Sequence, residues 1–355
     1  MEVRGGNMSP KIVRVSVRDV RFPTSLEQHG SDAMHTDPDY SAAYVVLETD
    51  GGLKGFGLTF TLGKGTEIVG PGERSDPPGD GCSPKCCVGS VGESGGQGAL
   101  MAFFYLAEDE MLREGYPAYT TSCAWLGYSD QQLQQLCTDA LKSGWTKFKV
   151  KVGADLDDDV RRCRLIREMI GPENTLMIDA NQRWDVSEAV GWVSELAEVK
   201  PLWIEEPTSP DDILGHAAIS KALAPLGIGV ASGEQCHNRV MFKQFLQAGA
   251  LQFVQIDSCR LGSVNENLAV LLMAHKFQVP VCPHAGGVGL CELVQHLILF
   301  DYICVSASLS NRYVQTISDA SLSYKIPGYS CEMLESSVQK HQYPDGEVWK
   351  VLPKK

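Results

Sequence analysis

The stretch TLMIDANQ (residues 175–182) decides the fold, because an apolar run ends there in an acidic residue, Asp179, and a polar turn follows. Three later runs repeat the pattern, namely LWIEE (202–206), GVASGE (229–234) and FVQID (253–257). Short apolar runs between helical stretches are typical of buried strands in a parallel sheet. In a closed parallel barrel the carboxyl ends of all strands open onto one face, where active sites lie. We therefore expect these acidic residues to surround one pocket.

Strand-like and helical runs alternate from Ala118 onward. The predicted strands are AYTTSC (118–123), KFKVKVG (147–153), TLMIDANQ (175–182), LWIEEP (202–207), GIGVASGE (227–234), LQFVQIDS (251–258), VPVCPH (279–284) and YICVSAS (302–308). Eight strands with seven intervening helices favour an α/β fold, a (β/α)7β barrel of the TIM type. An open doubly wound sheet is the alternative, but no glycine-rich phosphate fingerprint follows the first strand.

The chain before the barrel has a different pattern. Residues 11–22, 44–49 and 55–60 alternate as strands do, with a glycine turn at 51–52, and predict a small antiparallel sheet. We interpret residues 1–68 as an N-terminal α+β capping domain. The polar loop that carries His35 is either solvated or a flap that closes over a polar ligand.

Composition predicts the remaining boundaries. Residues 69–98 are rich in Gly, Pro and Ser with almost no large apolar side chains, which predicts disorder. The whole segment 69–117 is interpreted as disordered or partly helical, in a cap that is shortened here. The barrel then occupies residues 118–312, and residues 313–355 return to the cap.

Charge and hydropathy exclude some partners. A net charge of −13 at pH 7 argues against nucleic acid as a partner, because phosphate binding needs a basic face. No apolar run is long enough to span a membrane. The basic N-terminus carries a strand pattern rather than a clear transit peptide. The sequence leaves the oligomeric state open, a homo-oligomer included.

Three carboxylates at successive strand ends predict a metal site. Asp179, Glu205 and Glu234 end the third, fourth and fifth barrel strands, and hard oxygen ligands of this kind suit Mg²⁺. One such carboxylate alone is often a helix cap or a surface charge, but three in succession favour a metal. Asn181 is expected to hydrogen-bond to the ligands without binding the metal itself. The side chain of Glu206 must point to the opposite side of the strand from that of Glu205.

Candidate bases flank the predicted metal site. Lys149 and Lys151 share one face of the second strand, and we expect their mutual repulsion to lower their pKa values into the range of a base. The alternative is a pair of surface lysines. Asp257 and His284 end the sixth and seventh strands, where the carboxylate could fix the tautomer of the imidazole. A purely structural histidine is the alternative for His284.

These residues, in this order, resemble the mandelate-racemase-like acid-sugar dehydratases of the enolase superfamily. The resemblance also covers DANQRWD, WIEEPTSPDDILGH, GEQCHNR, QIDSCRLGSVNENL and CPHAGGVGLCELVQHL, and it extends over most of the chain. It implies a hydro-lyase that converts L-fuconate, a small sugar acid, into 2-keto-3-deoxy-L-fuconate, with Mg²⁺ as its cofactor. It also implies a mitochondrial location; otherwise the chain is expected to be cytoplasmic.

The resemblance assigns roles to the site residues. Lys151 or His284 would remove the proton alpha to the carboxylate, and Lys149 would act on that carboxylate electrostatically. Mg²⁺ would stabilise the enediolate while His284 assists departure of the 3-hydroxyl group. A racemase or epimerase on the same scaffold remains an alternative. His35, Asn181 and Ser310 are the expected substrate contacts.

Two departures from the family bear on turnover. Residues 69–98 stand where the family has lid helices, and Ser310 stands where it has a glutamate after the eighth strand. A serine cannot supply the same acidic hydrogen bond, and loss of one such donor typically slows an enzyme about a hundredfold or more. A metal-binding form with little or no activity is therefore the second hypothesis.

Overall fold

The computed structural model describes residues 11–66, 107, 109–111, 113–316 and 331–352. Its strands are β1 (Ile12–Arg21), β2 (Ser41–Thr49), β3 (Lys54–Thr61), β4 (Ala118–Thr120), β5 (Lys147–Lys151), β6 (Thr175–Asp179), β7 (Trp203–Glu205), β8 (Gly229–Ser232), β9 (Phe253–Val254) and β10 (Val314–Thr316). Its helices are α1 (Asp130–Lys142), α2 (Leu156–Ile170), α3 (Val186–Glu195), α4 (Ile213–Leu223), α5 (Arg239–Gln247), α6 (Val264–Lys276), α7 (Leu290–Phe300), α8 (Glu335–His341) and α9 (Glu347–Val351). The predicted disordered segment 69–98 lies outside the described residues.

The N-terminal strands form the expected antiparallel sheet in the order β1-β2-β3. One face of this sheet buries Val20, Tyr44 and Val46. Val338 of α8 completes the same apolar cluster, and Val20 also bridges to Gln342. The C-terminal segment therefore packs on the cap.

The barrel predicted from the strand–helix repeat is confirmed. A parallel sheet runs in the order β10-β4-β5-β6-β7-β8-β9. Residues 281–284 continue the ring beyond β9, because the Cys282 amide donates to the Val254 carbonyl at 2.8 Å. The Gln315 amide donates to the Pro283 carbonyl at 3.3 Å and closes the ring onto β10. Six buried side chains fill its interior, namely Tyr119, Met177, Trp203, Ala231, Phe253 and Cys282.

The predicted eighth strand is wrong. The chain continues from α7 as a π-helical segment, Asp301–Ser306, and residues 302–308 form no strand. The Ser306 hydroxyl donates to the Asp301 carbonyl and Arg312 donates to the Asp301 carboxylate, which holds this turn in place. The eighth strand is β10, paired in parallel with β4. Apolar and β-branched composition favoured the earlier run, whereas a strand of three residues shows no periodicity of its own.

A buried ion pair on α2 supports the carboxyl ends of the first two barrel strands. Arg162 donates to the carbonyl oxygens of Lys151, at 2.9 Å, and of Trp125, at 3.1 Å. Asp159 lies 3.6 Å from Arg162 and accepts hydrogen bonds from the Gly153 amide and the Trp192 indole. The helix thereby fixes the strand end that carries Lys151.

No helix among the described ranges is both long and apolar enough to cross a membrane.

The Asp159 carboxyl gives a pH-dependent prediction. Burial raises its pKa to about 6 from an ordinary 3.8, although hydrogen bonds from Gly153 and Trp192 oppose the rise. The folded protein therefore holds this proton more tightly than the unfolded chain, and stability falls as pH rises from about 4 through about 6. We expect D159N to lack this loss. As pH rises from about 4 to above 6, the free energy of unfolding of D159N should therefore increase relative to that of the wild type by up to about 3 kcal/mol.

Chemical denaturation of both proteins at a series of pH values measures this difference. D157N removes an exposed negative charge from the same helix and is the control. A difference between wild type and D159N that does not change with pH contradicts the prediction.

Candidate active site

Strand register brings the first two predicted ligands together. Lys151 pairs with Asp179 between β5 and β6, and Asp179 pairs with Glu205 between β6 and β7. Both carboxylates are completely buried. The chain turns sharply after each of them, since Asn181 and Glu206 adopt left-handed backbone conformations with φ of 47° and 42°. Strained residues of this kind cluster at functional sites.

The third predicted ligand, Glu234, follows a position that only glycine can occupy. Gly233 has φ of 136°, and a Cβ there would lie 2.5 Å from the Gln255 carbonyl oxygen and 2.6 Å from the Phe242 ring. The backbone therefore bends tightly at the end of β8. This bend places the Glu234 side chain, which is 6% exposed, at the same end of the barrel.

Two of the three lysines of β5, Lys149 and Lys151, are bound to these carboxylates. The Lys149 ammonium lies 2.9 Å from Asp179 Oδ2 and also contacts Glu205 Oε1. Lys151 Nζ lies 2.6 Å from the same Asp179 oxygen and 2.7 Å from Asn181 Oδ1. The lysines share one face of the strand, as predicted, and neither is a surface residue.

The expected lowering of the lysine pKa values is wrong for Lys149. Burial lowers the pKa of its ammonium, but Asp179 and Glu205 outweigh that effect and hold the pKa well above its ordinary value. Burial likewise raises the pKa of Asp179, yet Lys149 and Lys151 keep it below its usual range. Burial raises the pKa of Glu205 to about 7, and the charge of Asp179 adds to the rise. The sequence spacing shows that two lysines lie on one face of the strand. It does not show that carboxylates from other strands lie close enough to neutralise their charges.

The predicted pair of Asp257 and His284 is confirmed. The two residues form a parallel bridge, and His284 Nδ1 lies 2.6 Å from Asp257 Oδ2. Burial raises the pKa of Asp257, but the hydrogen bond and charge of His284, together with Arg260 and the Cys259 amide, outweigh burial, so the pKa is lowered. The carboxylate accepts a hydrogen bond from Nδ1 and so directs the other ring nitrogen, Nε2, into the pocket. Glu234 Oε2 lies 3.5 Å from that Nε2.

The cap covers part of this end of the barrel. The amide of Gly127 donates to the Ser31 hydroxyl, and the amide of Leu126 donates to the Ser31 carbonyl. His35 follows in the same loop, but it is half exposed and pairs with Asp32 at 3.2 Å. The structure thus places His35 in the loop that docks on the barrel rather than among the carboxylates.

Ser310 does not join the site. It is exposed and precedes β10, where it lines a cavity of about 550 Å³ with His275, Lys276 and Pro280. Pro280 directly precedes residues 281–284 of the ring and His275 lies in the last turn of α6, so this cavity opens at the opposite end of the barrel. The structure therefore does not bring Ser310 to the carboxylates, because most of the run after which it was placed is helical and not a strand.

Sequence reasoning missed three residues of the pocket. Tyr40 is a cap residue whose phenol pKa is raised by burial and by the charges of Asp32 and Glu234. The Trp125 ring lies 5.4 Å from the Lys151 ammonium. Arg260 Nη1 lies 3.2 Å from Glu234 Oε1. Arg260 lies within a family-like motif, QIDSCRLGSVNENL, but nothing in the spacing of that motif indicates the direction of its side chain.

The donor chemistry fits a hard divalent cation, whereas the present side-chain positions do not yet surround one. Across the described ranges, no three His, Cys, Asp or Glu side chains stand close enough to hold one metal ion. Their oxygens are bound instead by Lys149, Lys151 and Arg260. Three buried carboxylates on adjacent strand ends still supply the oxygen set that Mg²⁺ prefers.

Comparison with known proteins assigns the family. A family model described as enolase C-terminal domain-like matches residues 132–340. Mitochondrial enolase superfamily member 1 of Homo sapiens is 56% identical over 433 residues, which covers 96% of this chain and 98% of that protein. The crystal structure of that human protein superimposes with a TM-score of 0.85 and covers 97% of this chain and 99% of its own.

Two further relatives are dehydratases by name. L-galactonate dehydratase of Hypocrea jecorina is 40% identical over 429 residues, covering 92% of this chain and 93% of that protein. A crystal structure of L-talarate/galactarate dehydratase from Salmonella typhimurium, liganded with Mg and L-lyxarohydroxamate, shares the fold at 19% identity and a TM-score of 0.64, covering 89% of this chain and 85% of its own.

The chain belongs to the enolase superfamily. The alignment with the human protein spans 433 positions, more than the 355 residues of this chain, so the human protein contains segments that have no counterpart here.

The buried ion pairs give a stability prediction. K149M should leave Glu205 without a cationic partner and Asp179 with Lys151 alone, and breaking a buried pair in this way typically costs about 3–5 kcal/mol. We expect that loss in the free energy of unfolding, measured by chemical denaturation at pH 7 with a chelator present. Adding E205Q to K149M should recover part of it.

Lys147 provides the control for this prediction, since it lies on the same strand and is half-buried beside the Tyr313 ring. K147M should change stability by about 1 kcal/mol or less. Equal effects of K149M and K147M would contradict the role assigned to the ion pairs.

Proposed function

We propose that this chain is a Mg²⁺-dependent hydro-lyase that removes water from a sugar acid, with L-fuconate as the substrate and 2-keto-3-deoxy-L-fuconate as the product. The observation that carries the proposal is the arrangement of two candidate bases around three buried carboxylates. Lys151 binds Asp179 on the side of β5, and His284 binds Asp257 and faces Glu234 on the side of the seventh strand. Membership of a family with named sugar-acid dehydratases supports the assignment.

Asp179, Glu205 and Glu234 would hold the metal through carboxylate oxygens. A bound Mg²⁺ would neutralise the substrate carboxylate and the negative charge that develops when the alpha proton leaves. Lys149 contacts two of these ligands, Asp179 and Glu205, and would move from them to the substrate carboxylate. Asn181, which accepts a hydrogen bond from Lys151, would orient that ammonium.

Lys151 and His284 divide the proton transfers. If His284 removes the proton alpha to the carboxylate, it passes that same proton to the 3-hydroxyl group, which leaves as water. If Lys151 removes the proton, Lys151 must be neutral and His284 must carry a proton on Nε2, which it donates to the departing 3-hydroxyl group. Asp257 keeps the free nitrogen of His284 directed into the pocket. Tyr40 and the docked loop with His35 would contact the sugar chain from the cap side and limit access of water. The relative named as mitochondrial supports a mitochondrial location for this chain.

Turnover of L-fuconate with Mg²⁺ tests the proposal. We expect purified protein to form a 2-keto-3-deoxy acid, detected by a keto-acid assay and by mass spectrometry, and to lose this activity in a chelator. K151M and H284N should each lower the rate about a hundredfold or more, as expected for loss of a general acid or base. K147M alters a lysine outside the pocket and should retain activity.

Other outcomes separate the alternatives. Deuterium exchange at C2 without a keto acid would favour a racemase or epimerase, which opposed bases also permit. Turnover of L-galactonate in place of L-fuconate would keep the reaction class and change the substrate. Mg²⁺ binding with no turnover of either acid would identify a metal-binding form without dehydratase activity.

A further inference from the structure

Arg260 bridges the two halves of the pocket. Its Nη1 donates to both Oε1 and the carbonyl oxygen of Glu234, each at 3.2 Å. Its backbone amide donates to Asp257 Oδ1 at 2.9 Å, and its guanidinium lies 3.7 Å from Asp257 Oδ2. One residue therefore contacts a predicted metal ligand and the carboxylate that orients His284.

The cap covers the guanidinium of Arg260. The Phe60 ring of β3 lies 5.6 Å from its central carbon, within the range of a cation–π contact. Tyr40 packs against Phe60 edge-on, with ring centroids 5.1 Å apart. A Cβ on Gly287 would lie 2.9 Å from the same Phe60 ring, so the barrel loop approaches Phe60 closely. Movement of the cap would thus change the surroundings of Arg260.

We propose that Arg260 is a positioning residue that orients the Glu234 carboxylate for a divalent cation, and that Phe60 makes this orientation depend on the docked cap. The inference rests on the proposed function, since it needs a metal at Glu234. The two oxygens of Glu234 face Arg260 and His284, so the guanidinium determines how the carboxylate is rotated in the pocket. Removing a residue that hydrogen-bonds to a metal ligand typically weakens metal binding about 10–100-fold.

A positioning role and a purely electrostatic role of Arg260 predict opposite changes in Mg²⁺ affinity when the arginine is replaced. If Arg260 only places a positive charge near the metal, R260M should tighten Mg²⁺ binding, because a like charge is removed. If Arg260 orients Glu234, R260M should weaken Mg²⁺ binding about tenfold or more. R260K keeps the charge but not the directed fork of N–H donors, so its affinity should lie between those of R260M and wild type.

Calorimetric titration of the full-length variants with Mg²⁺ distinguishes these roles. We expect F60A to weaken binding less than R260M does, and to have no further effect when R260M is already present. L58A is the matched control, because Leu58 lies on the same strand, two residues before Phe60. Its side chain lies beside Gly289 instead of Arg260. L58A should leave Mg²⁺ affinity within about twofold of wild type, a change too small to reflect lost positioning.

Several outcomes overturn the proposal. Unchanged or tighter Mg²⁺ binding in R260M, with a folded protein by circular dichroism, removes the positioning role while the proposed function stands. If the effects of F60A and R260M on Mg²⁺ affinity are additive, the orientation of Glu234 by Arg260 does not depend on the cap. If wild type binds no Mg²⁺ at all, the proposed function and this inference both fail.

Discussion

The ion pairs that Lys149 and Lys151 of β5 make with the carboxylates of β6 and β7 are the constraint on which the rest of the site depends. Asp179 and Glu205 are completely buried, and isolated charges at such depth are too costly to persist. Lys149 and Lys151 supply the compensating charge, while Arg260 does the same for Glu234. Any cation that enters the pocket must exchange with these side chains. The buried carboxylates are therefore kept close together by the positively charged side chains of the same pocket.

The strand–helix repeat predicted the barrel and the face on which the acidic residues lie, because both follow from local periodicity. Parallel pairing then fixes which strand ends are neighbours, so the adjacency of Asp179 and Glu205 and that of Asp257 and His284 could be expected. These features need no knowledge of side-chain rotamers.

Three-dimensional packing decided the features that the sequence did not predict. The eighth strand, Val314–Thr316, is too short to show a period, while the apolar run before it continues α7. The high pKa of Lys149 depends on distances to carboxylates that lie far away in the chain. The contact of Phe60 with Arg260 depends on how the cap sits on the barrel.

The position of a bound metal tests the central claim most directly. Mn²⁺ can stand in for Mg²⁺ at an oxygen site, and anomalous diffraction from a crystal grown with Mn²⁺ would locate it. We expect one peak in contact with Asp179, Glu205 and Glu234, with the Lys149 ammonium displaced from between the first two. A peak elsewhere, or a crystal in which Lys149 keeps both carboxylates at saturating Mn²⁺, would contradict the account.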